Sequence, residues 1–323
     1  MTESTTAAAP VLVLLDHHDG SLRTPVLELL TVARRLGPVH GVWLGDSAVP
    51  GTLGEHGVSV VHQVALDGAA MVVTTSAALA EVAEATGAGS VLLSSTFENK
   101  EIAARLAFAL GAGLVVDASD VEAGADGSVV TVQQAFAATW TLRSRVTAPR
   151  AVVALKPNAV PVVPADVPTS PDVVTHPAVT ADTLGVQLLA RTARAASGRP
   201  DLGEAQVVVV GGRGTEGDFS PVEDLADALG GAVGATRVAT DEGWIGHEAQ
   251  IGQTGVTISP RLYVGAGVSG AVHHRGGMQS SSTIVAVNSD PEAPIFEIAD
   301  FGIVGDLFAV LPQAAAEVRR LRG

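Results

Sequence analysis

The chain has 323 residues, 47% of them hydrophobic and 16% charged, which excludes a disordered chain and gives length enough for two domains. Acids outnumber bases 34 to 19 for a formal charge of -15, which argues against nucleic acid and anionic lipid as partners. No cysteine is present, so disulfides, thiol nucleophiles and thiolate metal sites are excluded, and any redox chemistry needs a borrowed organic cofactor.

Residues 1–10 hold Glu3 and no Lys or Arg, so they read as a frayed tail on a cytoplasmic protein rather than a targeting segment. No stretch is long and apolar enough to predict membrane insertion. The first strand is expected at Val11–Leu15, followed by a helix over Pro25–Leu36 with Val26, Leu29, Leu30 and Ala33 on one face. Strands follow at Val39–Leu44, Met71–Thr74, Val91–Ser94 and Gly113–Val116, with a helix over Glu98–Leu110. Alternating strands and helices predict βαβ units and a mainly parallel sheet. Ser128–Gln134 and Trp140–Ser144 read as an edge hairpin. Prolines at 157, 161, 164, 168, 171 and 177 keep residues 157–177 extended. A helix is expected from about Thr180 to Ala196. The domain boundary is placed at 201, giving domains of 1–201 and 202–323.

In the second half, Val207–Val210 empties into Gly211-Gly212-Arg213-Gly214. Ser220, Pro221 and Glu223 then predict a capped helix that runs to Gly230. Later strands are expected at Leu262–Val264, Ile284–Asn288 and Ile295–Ile298, with helical segments at Asp306–Leu311 and Pro312–Leu321. The fold class is therefore α/β: an N-terminal parallel-sheet domain followed by a doubly wound, Rossmann-like domain.

Two G-x-G-x-x-G patterns occur, at Gly212, Gly214 and Gly217 and at Gly265, Gly267 and Gly270. Each follows an apolar run, where glycine lets backbone N–H groups approach a pyrophosphate. Asn288 stands where a dinucleotide fold places its ribose-binding acid, which argues against a plain NAD-dependent oxidoreductase. Asp16-His17-His18-Asp19 has a metal-like composition, but neighbours on an extended chain point opposite ways, and it reads as a loop. Polar residues recur at successive strand ends in this half, and the residues alone point no further than to a shared ligand there.

The ordered blocks Val209–Gly214, Val233–Arg237, Gln250–Gly255, Leu262–Val264, Gly267–Val272, Ile284–Asn288, Asp290–Phe296 and Ala299–Leu307 resemble the alpha subunit of electron-transfer flavoproteins. Lys100–Arg105 and Pro157-Asn158 extend the likeness to the first half. The resemblance implies that the second domain binds FAD, and that a beta subunit completes a heterodimer. It also implies electron traffic from flavin dehydrogenases of the acyl-CoA dehydrogenase type, as in fatty acid β-oxidation, to an acceptor such as a quinone oxidoreductase. The beta subunit would hold AMP, or a second FAD in an electron-bifurcating complex. Carried over by residue, Arg213 and Arg237 would contact FAD, with Arg237 near the isoalloxazine and Thr236 in place of the usual Ser. Ile251, Gly252, Gln253 and Thr254 would lie beside the ring, with the Thr254 hydroxyl on flavin N5. Ser269, Gly270, Ala271, Val272 and His273 would hold the pyrophosphate and ribityl side, and a cationic His274 the N1/O2 edge. Asn288, Asp306 and Leu307 would meet the adenosine end. Gly265, His273, Trp244 and His247 depart from the family pattern. No metal site is expected.

Overall fold

The computed structural model describes residues 9–18, 20–66, 71–136, 138–179, 189–190 and 198–322. The chain divides into two compact units, residues 1–133 with 141–192 and residues 134–140 with 193–323. The helix expected over 180–196 lies almost wholly outside the described residues.

The first unit begins with β1 (Val11–Leu14), a two-residue ladder of β2 (His17–His18) and β3 (Ser21–Leu22), α1 (Thr24–Ala33) and β4 (Val39–Leu44). It continues with β5 (Val58–Leu66), α2 (Val72–Thr86), β6 (Ser90–Ser94), α3 (Phe97–Leu110) and β7 (Gly113–Ala123). Then come β8 (Val129–Ala135), β9 (Trp140–Arg145), β10 (Ala151–Leu155) and β11 (Asp172–Val179). Among the described residues these form a sheet of order β11-β5-β4-β1-β6-β10-β7-β8-β9. The pairs from β11 to β7 are parallel, and β7 with β8 is antiparallel.

Both faces of the sheet are covered. Val26, Leu29, Leu30 and Ala33 of α1 pack with Val11, Val13, Trp43 and Val153 on one face. Leu79 and Val82 of α2 and Ile102 and Leu106 of α3 pack with Leu12, Leu14, Val42 and Val152 on the other. Burying each such Leu or Ile is worth about 1.5–3 kcal/mol. The proline-rich stretch ends in β11, an edge strand whose register shifts between His176 and Val179, across Pro177; a residue without an N–H is tolerated at such an edge.

Met71–Thr74 is not a strand. It opens α2, where the Met71 N–H donates to Thr74 Oγ1 at 2.9 Å. The alanine-rich run that follows carries a helical apolar face and overrides the β-branched start.

The second unit comprises β12 (Val207–Gly211), α4 (Ser220–Leu229), β13 (Ala232–Ala235), α5 (Arg237–Asp241), β14 (Leu262–Ala266), α6 (Val272–Met278), β15 (Thr283–Asn288), β16 (Phe301–Val304) and α7 (Leu307–Arg322). Its parallel sheet has the order β13-β12-β14-β15-β16. In strand sequence that is 2-1-3-4-5, the flavodoxin-like doubly wound order. α4 and α7 share one apolar core with Val209 and Val264. Met278 of α6 lies with Ile251, Ile258, Tyr263 and Ile284 in the other.

Three local expectations are corrected. The capping box does not form at Ser220. Instead the Asp218 carboxylate accepts from the Ser220 N–H at 2.9 Å, and Ser220 is already the first residue of α4. Ile295–Ile298 is no strand, because Pro294 starts a 3-10 turn that buries Ile295; the edge strand is Phe301–Val304. The last two helical segments are one helix, α7, with Pro312 inside its second turn.

Candidate functional site

The strand order of the second sheet reverses between β12 and β14, because the chain runs from β12 outward to β13 and returns on the other side as β14. Such a reversal opens a crevice at the carboxyl ends of the strands. A cleft of about 630 Å³ lies there, within the size range of small-molecule sites. It brings together Arg213, Thr236, Arg237, Ile251, Gly252, Gln253, Thr254, Ser269, Gly270, Ala271, His273, His274 and Asn288.

Three sequence candidates stand elsewhere. Val272 is 61% exposed at the start of α6 and does not line the cleft. The Asp306 carboxylate accepts from the Phe308 N–H at 2.9 Å and so serves the start of α7. Leu307 is buried in the core beneath that helix.

The two glycine loops are shaped first by each other. The Gly212 N–H donates to the Ala266 carbonyl at 3.0 Å and the Gly214 N–H to the Gly267 carbonyl at 3.1 Å. A Cβ on Gly212 would stand 2.3 Å from the Gly267 oxygen. Gly267 and Gly270 adopt φ of +62° and +82°, where side chains are strained. The glycines of the first loop therefore answer to loop–loop packing, not to the approach of a pyrophosphate alone.

Around this floor stand the polar groups. Arg213 is exposed and makes no ion pair among the described residues. Arg237 pairs with Asp241 at 3.1 Å, one helical turn away, with both side chains at least half exposed. Thr236 Oγ1 is buried without a hydrogen-bond partner. A buried hydroxyl left unmatched is costly, and this one belongs to a residue of the cleft lining. His273 Nδ1–H donates to Gln253 Oε1 at 2.9 Å, tying two loops together. The Asn288 amide donates to the Val268 carbonyl at 2.9 Å and accepts from the Asp290 N–H at 3.0 Å. That amide braces the loop on both sides, a use quite unlike a free ribose-binding acid.

His274 departs from its expected charge. It is 6% exposed, and its Nδ1–H donates to the Ile251 carbonyl at 3.1 Å. Its Nε2 then accepts from the Tyr263 hydroxyl at 2.8 Å. Burial pushes its pKa down to about 4, so at neutral pH it is an uncharged imidazole. Burial also raises the Tyr263 phenol, which stays protonated and donates. The positive charge that lines the cleft therefore comes from the two arginines.

Sequence reasoning missed Gln250, whose side chain bridges Thr240 and Thr254 beneath the cleft wall. It also missed Asp241, Val268 and Asp290 in the lining. Gln250, Val268 and Asp290 lie in blocks that carry the resemblance, but their place in the lining depends on which loops meet.

These residues fit FAD. Two arginines and glycine-rich backbone suit a pyrophosphate, and the unmatched Thr236 hydroxyl has a polar partner to gain. Bound there, FAD would supply the electron-carrying isoalloxazine ring.

Comparison with known proteins supports the same cofactor. Residues 201–279 match the electron transfer flavoprotein FAD-binding domain, and residues 11–181 match the electron transfer flavoprotein domain. The chain is 42% identical over 326 residues to the electron transfer flavoprotein subunit alpha of Mycobacterium leprae, covering 98% of this chain and 100% of that protein. It is 42% identical to the Mycobacterium tuberculosis subunit, with 98% and 100% covered, and 35% identical to that of Bacillus subtilis, with 96% and 98% covered. The chain belongs to the electron transfer flavoprotein family as an alpha subunit, an FAD-bearing electron carrier that turns over no substrate of its own.

Proposed function

We propose that the cleft at the β12/β14 reversal is the FAD site, with residues 202–323 as the FAD-binding domain and residues 1–201 as the N-terminal domain. The observation that carries this is convergence: Arg213, Arg237, the Gly267–Gly270 loop and the unmatched Thr236 hydroxyl meet in one cleft. Arg213 and the 269–271 backbone hold the pyrophosphate. Arg237 lies along the isoalloxazine, where its charge stabilises electron density arriving on the ring. The Thr254 hydroxyl faces N5. Neutral His274 is locked in place by Tyr263 and Ile251, so it offers a fixed ring rather than a charge.

The subunit pairs with a beta subunit that holds AMP. It takes electrons from flavin dehydrogenases of the acyl-CoA dehydrogenase type and delivers them to a quinone oxidoreductase in the cytoplasmic compartment. Apolar side chains suited to a partner are exposed: Phe136 and Trp140 at one place, Phe301, Ile303 and Val304 along edge strand β16 at another. Co-expression with a beta subunit of an electron transfer flavoprotein tests the reading. The expected product is a one-to-one complex with one FAD and one AMP, reduced by an acyl-CoA dehydrogenase with its substrate. A chain that purifies alone, holds FAD in full and passes no electrons would overturn it.

A further inference from the structure

Behind the cleft wall, three side chains form a hydrogen-bonded row. Gln250 Oε1 lies 2.7 Å from Thr240 Oγ1, and Gln250 Nε2 lies 3.0 Å from Thr254 Oγ1. Gln250 and Thr240 are buried, at 6% and 3% exposure, whereas Thr254 is exposed at the cleft. Thr240 Oγ1 also lies 2.9 Å from the Arg237 carbonyl. A hydroxyl has one proton, so it serves one of these two acceptors at a time.

Two complete arrangements follow. In the first, Thr240 donates to Gln250 Oε1, the amide N–H donates to Thr254 Oγ1, and the Thr254 proton is free to point into the cleft. In the second, the amide is turned over. Thr240 then donates to the Arg237 carbonyl, Gln250 Nε2–H donates to Thr240 Oγ1, and Thr254 donates to Gln250 Oε1. The Thr254 oxygen now offers the cleft a lone pair. The buried amide has a partner for its oxygen and for its nitrogen in each arrangement. The Arg237 carbonyl is the fallback acceptor that permits the exchange.

We propose that Gln250 is a positioning residue, an amide relay that reverses the hydrogen-bond polarity of Thr254 toward flavin N5. This rests on the reading that Thr254 faces N5. N5 of the oxidised ring has a lone pair and no hydrogen, so it needs a donor. Two electrons from a reduced flavin dehydrogenase and one proton from solvent leave a hydrogen on N5, which then needs an acceptor. Turning the Gln250 amide supplies each in turn without moving the backbone.

The test uses the FAD-loaded complex with its partner subunit, carrying FAD labelled with ¹⁵N at N5, and reads that resonance in the oxidised and two-electron-reduced states. Thr254→Val is expected to move the resonance in both states. Gln250→Met is expected to move it in the same direction by less, and the double variant to match Thr254→Val alone. The reduction equilibrium changes by about tenfold at most, the reach of one neutral hydrogen bond. Additive shifts would overturn the relay. So would a wild-type resonance in Gln250→Met when Thr254→Val has moved it, an outcome that leaves the N5 contact standing. No movement in Thr254→Val removes the N5 contact itself, and the relay with it. Should Gln250→Met fail to fold, Gln250→Glu replaces it: a carboxylate accepts from both threonines and holds the Thr254 proton away from N5. Its oxidised-state resonance is expected at the Thr254→Val position, and a wild-type position overturns the proposal.

Discussion

The two large sheets of this protein share one feature: each turns back beside its own first strand, and a crevice opens there. In the first unit the reversal lies between β1 and β6, and the cavity there measures about 660 Å³. In the second it lies between β12 and β14, with about 630 Å³. Size does not distinguish them; their residues do. The first crevice is lined by Asp16, Asp46 and Glu98 with Arg23. Asp16 accepts from Asn99 Nδ2 at 2.7 Å, and burial raises its carboxyl above the usual carboxylate range. The second crevice has Arg213, Arg237 and the interlocked glycine loops. Topology creates the space in both, and both carry carboxylates, Glu216, Asp241 and Asp290 in the second; what sets the second apart is its pair of arginines and the glycine loops whose backbone a pyrophosphate can approach.

The largest effect that separates the two crevices is steric. Gly212→Ala puts a Cβ 2.3 Å from the Gly267 oxygen and 2.8 Å from Val268 Cα, both backbone, so the loops must part. Loss of bound FAD and about 2 kcal/mol or more of stability are expected, read by absorbance and thermal melting. Gly45→Ala in the first crevice meets nothing within 4 Å and incurs only the strain of its φ of +105°, roughly 1–2 kcal/mol. FAD content should not change, and its loss would break the comparison.

Charge comes next. Arg213→Ala is expected to weaken FAD binding at least tenfold, since a charge-assisted contact is worth about 1.5–3 kcal/mol. Arg23→Ala is expected to leave the FAD affinity as it was. Equal effects in an equilibrium titration of apoprotein would contradict the assignment.

The buried titratable groups give effects of opposite sign that show only as the pH is changed. The His274 pKa is depressed to about 4, so the folded state binds fewer protons than the unfolded chain below pH 6.5. The stability it contributes is present above pH 6.5 and is lost as the pH falls towards 4, on the order of 2–3 kcal/mol for the apoprotein. His274→Gln keeps a donor and an acceptor but cannot titrate, so its melting temperature should fall less over that range. Asp16 behaves the other way. Its raised folded pKa makes the fold most stable below the ordinary carboxylate range and less stable as the pH rises through the folded value. Asp16→Asn still accepts from Asn99 and should raise the melting temperature slightly at pH 7 but not at pH 3. A lowered melting temperature at pH 7 would show that the carboxylate is used.

Much of this was legible in the sequence. The apolar strands β1, β6, β12 and β14, and the glycine loops after β12 and β14, follow from hydrophobic runs ending in turn residues. The helical periodicity of residues 222–229 was equally plain. What escaped depends on tertiary contacts. Met71–Thr74 looks like a strand until the helix after it is weighed. β16 is short, exposed and without alternation, so its only mark is its pairing with β15. His274 reads as a cation until Tyr263, eleven residues away, is seen to bury and bond it. Gln250 opens a block that carries the resemblance, but its role comes from the side chains of Thr240 and Thr254, which the block does not show.

The most direct test is amide hydrogen exchange on the complex with FAD bound and with FAD removed. Protection on binding is expected at residues 211–216, 250–254 and 267–274, with residues 14–23, 44–47 and 96–99 unchanged. Protection confined to the second set would place the cofactor in the first unit's crevice and contradict the account.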